Sequence, residues 1–147
     1  MYYISPEDIV LKKICSNRGA HNFIMKGELL AIALKNGYTD ATLALEKETL
    51  AEMVAEAIGY KKLAEIAHVG VTSYEMQVKF GITNSDLKRM AKAGFVSVTG
   101  SELFRLYGET REASLYDPWD YFKSQEEIDR WLKEHPKRTK KKKIEEA

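Results

Sequence analysis

The stretch Val71-Thr72-Ser73-Tyr74-Glu75-Met76-Gln77-Val78-Lys79-Phe80-Gly81-Ile82-Thr83-Asn84-Ser85-Asp86-Leu87-Lys88-Arg89-Met90-Ala91-Lys92-Ala93-Gly94 decides how this chain is read. Thr72 or Ser73 caps a short helix that ends at Phe80-Gly81, and Thr83 caps a second one over 84–93 that Gly94 closes. Gly81 stands where the chain reverses, a place that often needs positive φ. Met76, Phe80, Ile82, Leu87 and Met90 are spaced about that glycine so that the two helices pack on each other. Asn84, Ser85, Lys88, Arg89 and Lys92 are left on the outward side of the second helix. Gln77 departs from the pattern, because a small residue normally lets two such helices approach closely.

Downstream, Phe95-Val96-Ser97-Val98 alternates as a strand. Residues 103–107 and 113–116 read as two more short strands around a polar loop at 108–112. Two helices, a glycine turn and a β-hairpin make a winged helix-turn-helix. The segment 71–116 resembles the MerR and excisionase winged helices, in which the second helix ends in Gly and leads to an Arg-Leu-Tyr strand, here Arg105-Leu106-Tyr107. It is also similar to the DNA-binding domain of the xeroderma pigmentosum group A repair protein, through Val71-Thr72-Ser73 with Glu75 and Phe80-Gly81-Ile82-Thr83 with Asp86-Leu87. The four-cysteine zinc module of that repair protein is missing, so a repair role does not carry over. The resemblance implies duplex DNA in contact with Asn84, Ser85, Lys88, Arg89 and Lys92, with Arg105 and Arg111 on the wing. The bland alternative is that Lys88, Arg89 and Lys92 form an ordinary solvated face.

Upstream, Ser5-Pro6-Glu7-Asp8 opens a helix with a cap, a proline in the first position and two acids facing the dipole. Asn17-Arg18-Gly19 stops it, and a loop through His21 and Phe23 follows. A second helix covers 26–36, an extended stretch 38–45, a third helix 46–58, and 60–68 continues helically. Lys26-Gly27-Glu28-Leu29-Leu30, Asn36-Gly37-Tyr38 and Lys47-Glu48-Thr49-Leu50 resemble the SAP helix-extended-helix module, which binds DNA or anchors to a partner. In that module Leu29, Leu30 and Leu34 would face Leu50, Met53 and Val54. Glu46, Glu48, Glu52 and Glu56 repel phosphate, which favours packing or protein docking for this half. Gly70 marks the boundary between the halves.

At the other end, Asp117-Pro118-Trp119 restarts a helical turn, and Ser124-Gln125-Glu126-Glu127 opens a last helix as a capping box. Tyr116, Trp119, Tyr121, Phe122 and Trp131 read as core, with Trp119 and Phe122 against the helices of 73–93, in preference to a platform for single-stranded bases. Pro136 ends the folded part. The net charge of +1 is unevenly shared. Residues 137–147 hold six Lys and Arg against two Glu, so the first 136 residues carry a net −3. Lys137, Arg138, Lys140 and Lys141 in this run add sequence-independent affinity for a polyanion, or else form a disordered solubilising tail.

The 147 residues are 44% hydrophobic and 31% charged, which suits one ordinary domain or two small ones plus a tail. Mean hydropathy is −0.40, and no apolar run reaches the ~20 residues a membrane span requires. Met1 to Pro6 has no basic start leading into an apolar stretch, so a cytoplasmic protein without a signal peptide is expected. The single Cys15 rules out an intrachain disulfide and reads as a small core residue. His21, His68 and His135 stand in no metal spacing, and there is no phosphate-binding glycine loop or serine elbow. Glu52 and Glu56 lie one helical turn apart without a histidine to complete a metal site.

The expected fold is mainly α: a SAP-like helical region at 1–69, a winged helix-turn-helix with a short β-hairpin at 70–136, and a basic tail at 137–147. No catalytic residue, metal or cofactor is expected. The function expected is non-enzymatic binding of double-stranded DNA by a small regulator. Its build resembles the accessory proteins of phages and mobile elements of low-GC Gram-positive bacteria. The alternative is an anti-CRISPR-like inhibitor that binds a host nuclease or defence complex through protein contacts, using the acidic body.

Overall fold

The helices that begin at Pro6, Lys26, Ser73, Asn84 and Gln125 each start where a polar side chain takes up a free amide. The computed structural model describes residues 3–15 and 24–137. The stop signal at 17–19, His21, Phe23, and the tail residues Arg138, Lys140 and Lys141 lie outside the described residues. Helix α1 spans Pro6–Cys15, and the Asp8 amide donates to Ser5 Oγ at 3.0 Å. Helix α2 spans Lys26–Lys35, where Glu28 reaches back to accept from the Met25 amide at 3.1 Å. Helices α3 (Lys47–Ile58) and α4 (Tyr60–Ala67) follow, separated by Gly59. A short strand β1 (Val71–Thr72) leads into α5 (Ser73–Phe80) and α6 (Asn84–Lys92). Thr72 Oγ1 accepts from the Glu75 amide and Glu75 accepts from the Thr72 amide, each at 3.1 Å; Thr83 and Asp86 repeat the exchange at the same distances. Gly81, at φ 65° and ψ 39°, closes α5 in the left-handed region.

Strands β2 (Val98–Leu106) and β3 (Glu109–Tyr116) form a hairpin. Its two-residue turn is Tyr107-Gly108, both left-handed at φ 52° and 79°, the mirror-image turn whose twist suits an antiparallel pair. The three strands order as β1-β3-β2, all antiparallel, with Val71 opposite Tyr116 and an irregularity between Val98 and Gly100. A 3₁₀ turn, Asp120–Phe122, and helix α7 (Gln125–Glu134) complete a mainly helical fold with one small sheet. Ser124 accepts from the Glu127 amide at 3.1 Å at the start of α7.

The buried apolar residues fall into two clusters. One joins Val10 and Ile14 of α1 to Leu29, Ala33, Leu50, Val54 and Leu63. The other joins Val71, Met76, Phe80, Ile82, Leu87 and Met90 to Tyr116, Ile128 and Trp131, and it takes in Tyr3 and Ile9 from the N-terminus. All five apolar positions about Gly81 are therefore core. Helix α1 serves both clusters and is tied to α5 by a pair at 2.6 Å between Lys13 and Glu75.

Several expectations are corrected. Residues 38–45 form turns, because Tyr38, Ala41 and Leu45 close short backbone bonds there and no strand lies alongside. The strand after α6 begins at Val98, since the amides of Phe95 and Val96 return to the Met90 carbonyl. The hairpin strands are longer and its turn tighter than the sequence suggests, because Gly108 lets the chain reverse at once. Cys15 is exposed at the end of α1, and Leu34 is exposed on α2. Trp119 packs on the first cluster, with Lys61 of α4 lying 5.4 Å from its ring centre, while Phe122 joins the second. Gly70 is a close-approach point: a Cβ there would sit 2.7 Å from Thr99 Oγ1 and 2.8 Å from the Tyr116 carbonyl oxygen.

Candidate nucleic-acid interface

The capping box at Thr83 fixes where α6 starts, and Leu87 and Met90 fix which way it rolls. With those two side chains in the core, Asn84, Ser85, Lys88 and Lys92 are exposed on the opposite side. Lys88 and Lys92 lie one helical turn apart, and among the described residues no carboxylate pairs with either. Gln77 turns out to be a linker. Its Nε2 donates to Ser73 Oγ at 3.0 Å, and Ser73 Oγ donates to Asn84 Oδ1 at 2.6 Å, so a polar bridge joins α5 to α6.

Ser73, Tyr74, Gln77, Asn84 and Lys88 form one wall of a groove of about 480 Å³, and β3 forms the other through Glu112, Ser114 and Tyr116. Side chains alternate across a hairpin, so the register assigns each wing residue to a face. Arg105 lies opposite Thr110, Leu103 opposite Glu112 and Ser101 opposite Ser114, all on the face that looks toward α5 and α6. Ser101 and Glu112 are hydrogen-bonded across the strands on that face. Arg111 lies on the reverse face and pairs with Glu109 at 3.3 Å. The two wing arginines expected to act together are thus on opposite faces of the hairpin. Tyr107, at the tip, is 94% exposed.

Arg89 is placed differently from its neighbours. Its guanidinium donates from Nη1 to the His135 carbonyl at 2.7 Å and from Nη2 to Asp86 Oδ1 at 3.0 Å. It also lies 5.4 Å from the Trp131 ring centre, and Trp131 stacks on His135 at 4.3 Å. Burial pushes the Asp86 carboxyl up, but the Thr83 amide, the Arg89 guanidinium and the Thr83 hydroxyl outweigh it and hold it below its ordinary value. Arg89 therefore ties α6 to the end of α7 at His135, two residues before Lys137, where the described residues end.

Sequence reasoning missed Ser73, Tyr74 and Ser114 in the groove, Tyr107 at the tip, and Trp131 and His135 as partners of Arg89. The i, i+4 spacing of Ser73 with Gln77 and of Trp131 with His135 is the signal that could have found two of these pairs.

Elsewhere, Glu48, Glu52 and Glu56 run along the exposed side of α3 at helical spacing. Partial burial, then Glu52 and Glu7, push the Tyr60 phenol up. Burial and Glu48 do the same to the Cys15 thiol, against the pull of Lys47. Glu7 of α1 thus lies on the same side as the acids of α3, since it and Glu52 both act on Tyr60. Among the described residues no helix is long and apolar enough to cross a membrane, and no group of three or more His, Cys, Asp and Glu is placed to hold a metal ion. No family model, curated protein or solved structure matches the chain.

Proposed function

We propose that this chain is a non-enzymatic, cytoplasmic, double-stranded DNA-binding protein, a small phage-type regulator built on a winged helix-turn-helix. The observation that carries the reading is the crowding of like charge on α6: Lys88 and Lys92 stand exposed and without carboxylate partners, close to the root of a basic run, on a body of net −3. Such crowding is repulsive in the free protein and is relieved by a polyanion. The β1-β3-β2 sheet supports the same reading by setting a hairpin beside α6, with Arg105 facing it. In this reading α6 enters a major groove through Asn84, Ser85, Lys88 and Lys92, the wing lies along the backbone, and the SAP-like half braces α5 through α1.

A second reading rests on the acids Glu7, Glu48, Glu52 and Glu56, which offer a basic DNA-binding host protein a surface resembling the phosphate backbone. Fluorescence anisotropy with a labelled random duplex at low salt separates the two. Binding that weakens on changing Lys88 and Lys92 together to Ala supports the regulator. No binding to duplex at low salt overturns it, and retention on an immobilised basic DNA-binding protein then favours the inhibitor.

A further inference from the structure

Asn84 is the first residue of α6, and it is the N-terminal part of a helix laid in a major groove that meets base edges. The residue is exposed, yet one end of its amide is already taken. Its Oδ1 accepts from the Ser73 hydroxyl at 2.6 Å. A hydroxyl has one proton to give, so the Ser73 oxygen is left to accept, and it accepts from Gln77 Nε2 at 3.0 Å. The two bonds run in one direction, from Gln77 through Ser73 to Asn84, and each polarises the next. Among the described residues, the atom of Asn84 left without a partner is the donor Nδ2. The relay therefore does more than join α5 to α6: it chooses which end of the amide is on offer.

The rest of the groove decides what that donor can meet. Asn84 and Lys88 line it from the helices, and Glu112, hydrogen-bonded to Ser101, lines it from the wing. A phosphate drawn in by Lys88 meets the Glu112 carboxylate there, whereas the uncharged edge of a base pair carries no charge for it to repel. The groove is thus biased toward a base edge. In the major groove guanine shows two acceptors, N7 and O6, while cytosine shows the donor N4. A free Nδ2 suits the first and opposes the second. Lys88, one turn further along the same wall, adds another donor.

We propose that Asn84 is a specificity-determining residue, and that Ser73, itself oriented by Gln77, positions its amide so that the donor end reads an acceptor-bearing base, guanine in preference to cytosine. This rests on the DNA-binding reading given above. A bridge that merely tied two helices together would change stability or affinity for every duplex alike, and would leave base preference unmoved.

The experiment starts with selection from a randomised duplex by wild type and by Asn84→Ala, which finds the base pair whose identity depends on Asn84. Anisotropy then measures affinity for duplexes that differ only there. Wild type is expected to favour guanine over cytosine on the order of tenfold, and Ser73→Ala to narrow the ratio to less than about threefold. Affinity of Ser73→Ala for an unrelated duplex should stay within about twofold of wild type, because no phosphate contact is lost. Ser73→Thr keeps the hydroxyl and should keep the preference; Ser73→Val, its isostere without one, should lose it, and this pair carries the test if Ser73→Ala fails to fold. Asn84→Asp, which offers only acceptors, should turn the preference toward cytosine. A wild-type preference for cytosine at that pair means that the relay runs the other way and overturns the proposal. An unchanged ratio in Ser73→Ala and Ser73→Val also overturns it, as does duplex binding in which no pair depends on Asn84. These results leave the DNA-binding reading standing, whereas no duplex binding by wild type at low salt overturns that reading and the proposal with it.

Discussion

Glu75 is the residue through which the N-terminal helix holds the α5–α6 unit, and Glu75→Gln should show it. Its carboxylate accepts from Lys13 Nζ and from the Tyr3 hydroxyl, each at 2.6 Å, and from the Thr72 amide and hydroxyl, each at 3.1 Å. The side chains of Lys13 and Glu75 are only 16% and 10% exposed. Removing one partner of a fully buried ion pair costs about 3–5 kcal/mol, because the other charge is left in a poor environment. Lys13 keeps some access to water, and Gln can still accept from Thr72, so the expected loss is about 2–4 kcal/mol. For a chain of this size that is a fall in melting midpoint of roughly 5–15 °C. Lys13→Met should cost less, because Glu75 would keep its bonds to Tyr3 and Thr72.

The pH dependence has a definite sign. Burial alone would raise the Glu75 carboxyl, but the bonds from Lys13, Tyr3 and Thr72 outweigh it and hold the carboxyl below its ordinary value. The unfolded chain therefore takes up the proton first. The stabilisation is complete above the ordinary carboxyl value of the unfolded chain and is lost as pH falls through the lower folded one. Urea unfolding of wild type and Glu75→Gln should differ most near neutrality and converge as the solution is acidified. A difference under about 0.5 kcal/mol at pH 7, or one that grows on acidification, refutes the argument.

Two glycines should fail for opposite reasons. Gly81→Val meets no atom within 4 Å at its Cβ, so its cost comes from the left-handed backbone alone; a few kcal/mol is expected in thermal melts, with Gly81→Asn losing much less. Gly70→Ala has no positive φ to fear, but its methyl would meet Thr99, Leu115 and the Tyr116 carbonyl at under 3 Å; urea unfolding should show a loss of about 1–3 kcal/mol as β2 and β3 shift away.

What was legible follows from how local each signal is. The caps at Ser5, Thr72, Thr83 and Ser124 and the apolar rhythm through Met76, Phe80, Leu87 and Met90 are written within a few residues, and each element they announce is present. The hairpin was legible as a hairpin, but its turn was misplaced, because Tyr at a left-handed position carries no glycine-like signature. Gly70 looked like a boundary since close approach and chain punctuation use the same residue. The role of Arg89 could not be read at all. His135 lies 46 residues away, and an outward position on a helical wheel says nothing of a later helix laid across it. The same limit hid the two-core role of α1, whose adjacent Ile9 and Val10 go to different clusters.

The hairpin register yields the sharpest test of which surface meets DNA. A duplex lying against α6 meets Lys88, Lys92 and the wing face that looks toward that helix. Arg105 is on that face, with Leu103 and Ser101. Arg111 is on the other, and the strand itself stands between it and α6. Both arginines are exposed, and substituting either removes the same unit charge, so any long-range effect of net charge is common to the two. Arg111 also gives up its exposed pair with Glu109, so what isolates a phosphate contact is a change in salt slope at Arg105. Each such contact adds about 0.9 to the slope of log affinity against log salt. Arg105→Gln should therefore flatten that slope by about 0.9, while Arg111→Gln leaves it within error of wild type. Deleting 137–147, which removes six basic residues, should flatten it further, by up to about 5. Salt titrations of anisotropy over the same duplex measure all three. Equal effects of Arg105 and Arg111 would mean that the wing is felt only through its net charge. A larger effect of Arg111 would put the duplex on the reverse face, away from α6.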